Sequence, residues 1–234
     1  MTINNICIIP ARGGSKRIKN KNIINFYNKP LIYWSINAAK KSKVFDKIYV
    51  STDSDKIINK IKKYKVDILK RSKTNSNDKA ILHDVIRETI NVLKLGSNIN
   101  ICCLLPTAVL VNKEKIKLGL KILKKNKNKF VVPICKFSYP PQRGLYLKSK
   151  LVKMINNKNF KKNSQSLESI YHDAGQFIWG KSKSFLNINN PFNKNSIGII
   201  LNEMNVQDID NLEDLELAKI KFKFQKNFNL KTFL

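Results

Sequence analysis

Ile3-Asn4-Asn5-Ile6-Cys7-Ile8-Ile9-Pro10, followed by Ala11-Arg12-Gly13-Gly14-Ser15-Lys16-Arg17-Ile18-Lys19-Asn20-Lys21-Asn22, is the stretch on which the fold turns. The apolar run Ile3–Ile9, closed by Pro10, predicts a buried strand. The loop after it begins where α/β sheets bind ligands, at the carboxyl end of a strand. Gly13 and Gly14 let backbone N–H groups approach a phosphate. Arg12, Lys16 and Lys21 supply charge suited to a triphosphate. The loop matches neither G-x-x-x-x-G-K-[ST] nor G-x-G-x-x-G. The plainer reading is a glycine turn with solvated lysines; three cations directly after the first strand favour the phosphate reading.

Outward from this loop the chain alternates. Pro30 opens a helix with Leu31, Ile32, Ser35, Ile36 and Ala39 on one face. Strands are predicted at Lys47–Ser51, Val66–Leu69, Ile101–Leu105 and Phe130–Ile134. Helices are predicted at Ser54–Tyr64, Lys79–Leu95 and Lys113–Lys125. This order argues an α/β fold with a doubly wound, mainly parallel, Rossmann-like sheet. Residues 138–170 break the alternation and predict a small hairpin excursion, with strands at Leu145–Leu147 and Leu151–Met154. Ile170–Gly180 and Ile197–Leu201 read as returning strands, Leu212–Phe224 as a final helix, and 221–234 as a basic tail that frays. No repeat or linker divides residues 1–234, so a single domain is expected.

The 234 residues carry a formal charge of +29, yet only five of the 45 basic residues are arginine. Lysine, asparagine and isoleucine abound throughout, as A/T-rich coding would produce. The lysines form no arm or stripe, and no nucleic-acid reader motif is present. A nucleic-acid-binding protein is thus the weaker alternative, and no nucleic-acid partner is expected. No apolar run suits a membrane span, and the first ten residues lack signal-peptide features, so a cytoplasmic protein without a membrane partner is expected. Cys7, Cys102, Cys103 and Cys135 lie in apolar runs with no C-x-x-C spacing, which suits buried thiols better than a zinc site.

Two further constellations carry chemistry. In an extended segment, residues two apart share a face. Asp208 and Asp210 would then project together, with Ile209 toward the core. Such a pair can hold Mg²⁺, or Mn²⁺, alongside water and phosphate oxygens. Equally, Asp210 before Asn211-Leu212-Glu213 suits a helix N-cap. The run Tyr171-His172-Asp173-Ala174-Gly175-Gln176-Phe177-Ile178-Trp179-Gly180 is dense in polar groups for a strand. Alternation places His172, Ala174 and Gln176 on one face, either lining a ligand or closing a core network. Asp53 reads as a helix cap at an ordinary strand end, and His83 as a structural helical histidine. Arg143 suits either a substrate carboxylate or open surface.

The string Ile9-Pro10-Ala11-Arg12-Gly13-Gly14-Ser15-Lys16-Arg17-Ile18, closing on Lys21-Asn22, resembles the signature loop of the sugar-acid cytidylyltransferases, the family of the CMP-sialic acid, CMP-Kdo and CMP-pseudaminic acid synthetases. The resemblance runs from Ile6 to about Leu217. It implies transfer of CMP from CTP to a sugar anomeric hydroxyl, with release of pyrophosphate. It implies nucleotide contacts from Ala11, Arg12, Gly13, Ser15, Lys16, Lys21, Asn22, Arg71 and Ala80. Arg12 and Lys21 would act catalytically with Asp208 and Asp210, which become the metal ligands. The Tyr171–Gly180 run resembles that of the pseudaminic acid subgroup, and Asn163-Ser164-Gln165-Ser166 resembles its R-S-Q-D. Arg143, His172, Asp173 and Gln176 are then the substrate-binding set. N-acetylneuraminic or legionaminic acid is the alternative nonulosonic acid. The resemblance further implies a homodimer built on the hairpin and a place in flagellin or surface glycosylation. Ser72 and Val109 stand where the family has proline.

Overall fold

The computed structural model describes residues 3–76, 80–126, 129–188 and 190–228. Its first strand, β1 (Asn5–Pro10), is flanked in parallel by β4 (Lys47–Thr52) and β6 (Asn100–Leu104). A minimal hairpin of β2 (Asn25–Phe26) and β3 (Lys29–Pro30) leads into α1 (Leu31–Ser42). Helix α2 (Asp55–Ile61) connects β4 to β5 (Asp67–Lys70), which extends the parallel sheet. Helices α3 (Leu82–Val92) and α4 (Lys113–Lys125) flank β6, and α4 leads to β7 (Phe130–Lys136).

The sheet then becomes mixed. After the separate hairpin β8 (Leu145–Lys148) and β9 (Leu151–Met154), β10 (Tyr171–Asp173) runs antiparallel to β7. Strand β11 (Phe177–Lys181) inserts antiparallel between β6 and β7. Helix α5 (Ser182–Asn187) follows, β12 (Ser196–Leu201) pairs in parallel with β7, and α6 (Leu212–Phe228) ends the description. The mainly parallel, doubly wound expectation thus holds.

The period of two along β1 sorts its side chains between two cores. Cys7 and Ile9 join Ile32 and Ile36 of α1, Ile57 and Ile61 of α2, and Leu120 and Leu123 of α4. Ile6 and Ile8 join Ile86 and Ile90 of α3 and Phe185 of α5. A third cluster joins Ile18 and Phe26 to Ile209, Leu215 and Phe222. It fastens α6 to the loop after β1.

Three sequence-based expectations are corrected. The run Ile170–Gly180 is not one strand: it breaks between Asp173 and Phe177, where Gly175 adopts φ +61°. A left-handed residue ends strand alternation, and glycine accepts it at little cost. His172, Ala174 and Gln176 therefore share no face. Helix α3 begins at Leu82 because Ile81 is extended; the expected start, Lys79, lies outside the described residues. The last helix continues past Phe224 to Phe228: Gln225 donates to Asn205 Oδ1 at 2.6 Å, and Lys226 lies over the ring of Phe222, itself buried against Phe26 and Trp34. The first part of the basic tail is therefore docked helix. Among the described residues, no helix is long and apolar enough to cross a membrane.

Candidate active site

The carboxyl ends of β1, β5 and β6 open onto a cleft of about 540 Å³. Arg12, Ser15, Lys16, Lys21 and Asn22 line one side, and Arg71, Ala80, Leu82 and Val85 line the other. Leu105, Pro106 and Thr107 form its floor, and Asp210 closes one end. With Arg17, five cationic side chains line the cleft against a single carboxylate. Such a field favours a polyanion. Ala80, Leu82 and Val85 add apolar surface to the lining that also contains Arg71.

The loop is held by its backbone. Ala11 N–H donates to the Ser51 carbonyl at 2.8 Å, and Gly13 N–H to Asp53 Oδ1 at 2.8 Å. Asn22, buried, donates its amide to the Arg12 carbonyl at 2.9 Å. Two expectations change here. The N–H groups of Ala11 and Gly13 are committed within the protein, so these residues shape the loop and do not offer those donors to a ligand. Nor is Asp53 the cap of α2: Ser54 accepts from Ile57 N–H, leaving Asp53 to hold Gly13.

Arg71 is buried, donating from Nη2 to the Ser51 carbonyl at 2.8 Å and from Nε to Ser51 Oγ at 3.3 Å. Burial pulls its pKa down, and the charges of Asp53 and Glu88 work against that. The loop after Arg71 is tied to α3 by Glu88, which accepts from Ser72 N–H and Asn75 Nδ2, each at 2.8 Å. Glu88 thereby holds the backbone at Ser72.

Asp208 and Asp210 precede α6 in an irregular segment, not in a strand. The outcome for the side chains is nonetheless as alternation predicts, because Ile209 is fully buried and the carboxylates flank it. Lys21 Nζ donates to the Ile209 carbonyl at 2.6 Å and to Asp210 Oδ1 at 3.1 Å, and Arg17 pairs with Asp210 Oδ2 at 3.0 Å. Asp210 does not cap the helix: Asn211 does so, accepting from Asp214 N–H at 2.9 Å. Asp214 in return accepts from the N–H groups of Asp210 and Asn211, at 2.9 and 3.0 Å. This reciprocal box fixes the backbone of Asp210.

Burial raises the pKa of Asp208, and the charge of Asp210 adds to it. Burial likewise raises Asp173, with the charge of Asp208 contributing. Among the described residues no cluster of three or more His, Cys, Asp or Glu could enclose a metal. Two mutually repelling carboxylates beside a phosphate-type loop suit Mg²⁺, which takes one or two carboxylates and completes its shell with water and phosphate oxygens. The donor set therefore fits the ion.

The expected substrate residues gather less completely. Asp173 lies near Asp208, and its Oδ1 accepts from Gly175 N–H at 3.0 Å. His172 stacks edge-on with Phe137 at 4.9 Å, outside the cleft. Gln176 is buried and donates to the Asn205 carbonyl at 2.6 Å, so its amide braces the segment leading to Asp208. Arg143 is exposed on the excursion and does not line the cleft. Trp179 and Phe177 are core, with Trp179 Nε1 donating to the Ile116 carbonyl at 3.1 Å. His83 is buried against the Phe185 carbonyl at 2.7 Å, a structural role as expected. Sequence reading missed Glu88 and Asp214. Only the N-cap spacing Asn211-x-x-Asp214 signalled the latter.

The profile of the family described as Cytidylyltransferase matches residues 6–228. The chain belongs to the cytidylyltransferase family. A pseudaminic acid cytidylyltransferase of Campylobacter jejuni subsp. jejuni serotype O:2 is 41% identical over 225 residues, covering 94% of this chain and 97% of that protein. An N-acylneuraminate cytidylyltransferase of Escherichia coli O18:K1:H7 is 28% identical over 95% of this chain and 52% of its own. A solved CMP:2-keto-3-deoxy-manno-octonic acid synthetase complexed with CTP superposes with TM-score 0.71 at 12% identity, covering 95% of this chain and 99% of that one. That likeness establishes that this cytidylyltransferase shares the nucleotidyltransferase fold.

Proposed function

We propose that this cytidylyltransferase transfers CMP from CTP to the anomeric hydroxyl of pseudaminic acid and releases pyrophosphate. The observation that carries this reading is the cation-lined cleft closed by Asp210, with Asp208 two residues before it and packed beside Gly175 of the Tyr171–Gly175 turn. The 41% identity to a pseudaminic acid enzyme supports the choice of sugar. The anomeric oxygen bonds to the α-phosphorus as the bond from that phosphorus to the bridging oxygen of the β-phosphate breaks, pyrophosphate leaves, and the hydroxyl proton passes to water. Arg12, Lys16 and Lys21 cradle the phosphates and offset the charge that builds on them. The buried side of the cleft at Arg71, Ala80 and Val85 receives the cytosine. Asp208 and Asp210 would hold Mg²⁺, with Mn²⁺ the alternative, and the ion would neutralise phosphate charge. Asp173 orients the sugar from beside Asp208, His172 follows it from the neighbouring position, and Gln176 braces the segment leading to Asp208 through Asn205.

The assembly proposed is a homodimer. Leu145, Tyr146, Leu147, Leu151 and Val152 of β8 and β9 are exposed on an isolated hairpin, which is marginal without a partner surface. A second copy would also bring Arg143, carried on the same excursion, toward a sugar carboxylate. The setting proposed is cytosolic, supplying an activated sugar for flagellin or surface glycosylation.

The test is pyrophosphate release from CTP and Mg²⁺ with pseudaminic acid and N-acetylneuraminic acid in parallel. Release with pseudaminic acid alone is expected. Release with N-acetylneuraminic acid alone would keep the reaction and reassign the sugar.

A further inference from the structure

The end of β4, Ser51 and Thr52, and Asp53 just beyond it form a hub between the loop after β1 and Arg71. From one side they receive the phosphate loop, through Ala11 N–H on the Ser51 carbonyl and Gly13 N–H on Asp53 Oδ1, both at 2.8 Å. From the other they receive Arg71, whose N–H donates to the Thr52 carbonyl at 2.9 Å and whose guanidinium donates to Ser51. The approach at Gly13 is close: a Cβ there would lie 2.8 Å from Ser54 Cβ. Gly13 thus belongs where it is because its backbone is drawn onto the 53–54 junction.

The Asp53 charge supports the buried guanidinium of Arg71. Its Oδ1 does a second thing, accepting the Gly13 N–H at 2.8 Å. Without an acceptor at that point, the loop carrying Arg12, Ser15 and Lys16 would have to be ordered when nucleotide binds, at the expense of affinity.

We propose that Asp53 is a positioning residue for CTP, latching Gly13 so that the phosphate loop is set before the nucleotide arrives. This deepens the reading of the cleft as the CTP site and rests on it. Asp53 touches no reacting atom. Its loss therefore weakens CTP binding and raises the KM for CTP, while kcat at saturating CTP changes little.

The experiment is calorimetric CTP binding with Mg²⁺, steady-state kinetics and thermal melting on the full chain, comparing wild type, Asp53→Ala and Asp53→Asn. The alanine variant is expected to bind CTP about tenfold or more weakly, the worth of one hydrogen bond to a charged acceptor. Asparagine keeps an acceptor oxygen in the same place and is expected to recover most of that loss. Unchanged CTP affinity in Asp53→Ala, with or without a lower melting temperature, would overturn the latch while leaving the cleft reading intact. Equal damage from asparagine and alanine would overturn it too, by showing that the charge and not the bond matters. Wild type that fails to bind CTP would remove the cleft reading and this inference with it. If Asp53→Ala does not fold, Asp53→Ser carries the same comparison.

Discussion

Lys21 Nζ stands 3.1 Å from Asp210 Oδ1, joining the end of the phosphate loop to a carboxylate 189 positions later. The same ammonium donates to the Ile209 carbonyl at 2.6 Å, so it orders the segment as well as pairing with its charge. A single lysine therefore couples the cation side of the cleft to its carboxylate side. Lys21→Met should lower kcat/KM by ~100-fold or more, the scale of losing one charged group from a preorganised site. Arg17 still pairs with Asp210, so stability should fall by no more than about 1 kcal/mol. Asp210→Asn should abolish most turnover and also the thermal stabilisation by Mg²⁺ plus CTP, with the fold retained by circular dichroism. Normal turnover in folded Asp210→Asn would remove that carboxylate from the metal assignment.

The adjacent glycines should respond differently. A Cβ at Gly13 meets Ser54 Cβ at 2.8 Å, whereas nothing lies within 4 Å of one at Gly14. Gly13→Ala should cost ~1–3 kcal/mol, as overpacking does, and weaken CTP binding. Gly14→Ala should stay within ~0.5 kcal/mol of wild type in urea unfolding. If Gly14→Ala nonetheless loses CTP affinity, its backbone faces the phosphates directly.

Glu88 gives the fold a pH dependence. Burial pushes its carboxyl up, but hydrogen bonds from Asn75 and Ser72 and the charge of Arg71 together hold it below its ordinary 4.5. A depressed folded-state pKa stabilises the protein above the unfolded-state value, and that stability is lost as pH falls through the folded one. Wild type should therefore exceed Glu88→Gln by at most about 1 kcal/mol at neutral pH, with the gap closing as pH falls through the depressed folded-state value. Melting curves from pH 3 to 7 (about that range suffices) would expose a gap that fails to close.

Phe222 should matter beyond its own helix. It is buried against Phe26 and Trp34, and its helix follows directly from Asp208–Asp210. Phe222→Ala should cost ~3–5 kcal/mol. Activity lost at the assay temperature should return in part on cooling, because the defect is in docking the helix and not in the chemistry.

Much of this was legible in one dimension. The strand Ile3–Ile9, the loop after it and the alternation through β7 follow from local periodicity, and such short-range signals survive in a linear reading. The Tyr171–Gly180 run misled because it is locally strand-like throughout. The break at Gly175 depends on β11 entering between β6 and β7, a pairing between residues far apart in the chain. Gln176 likewise reads as a substrate group until burial places its amide on Asn205.

Sequence by itself determined the α/β class, the glycine- and cation-bearing loop after β1 and the placing of Asp208 and Asp210 around a buried Ile209, because each is a contiguous pattern whose backbone geometry or charge acts over a few residues. Tertiary structure decided that Lys21 would meet Asp210, that Gly13 would rest on Asp53, and that Glu88 would hold the loop of Arg71. Those bonds join residues whose proximity exists only once burial of apolar side chains has packed the helices onto both faces of the sheet. No local propensity encodes such distances, and only the packed core brings the partners within hydrogen-bond reach.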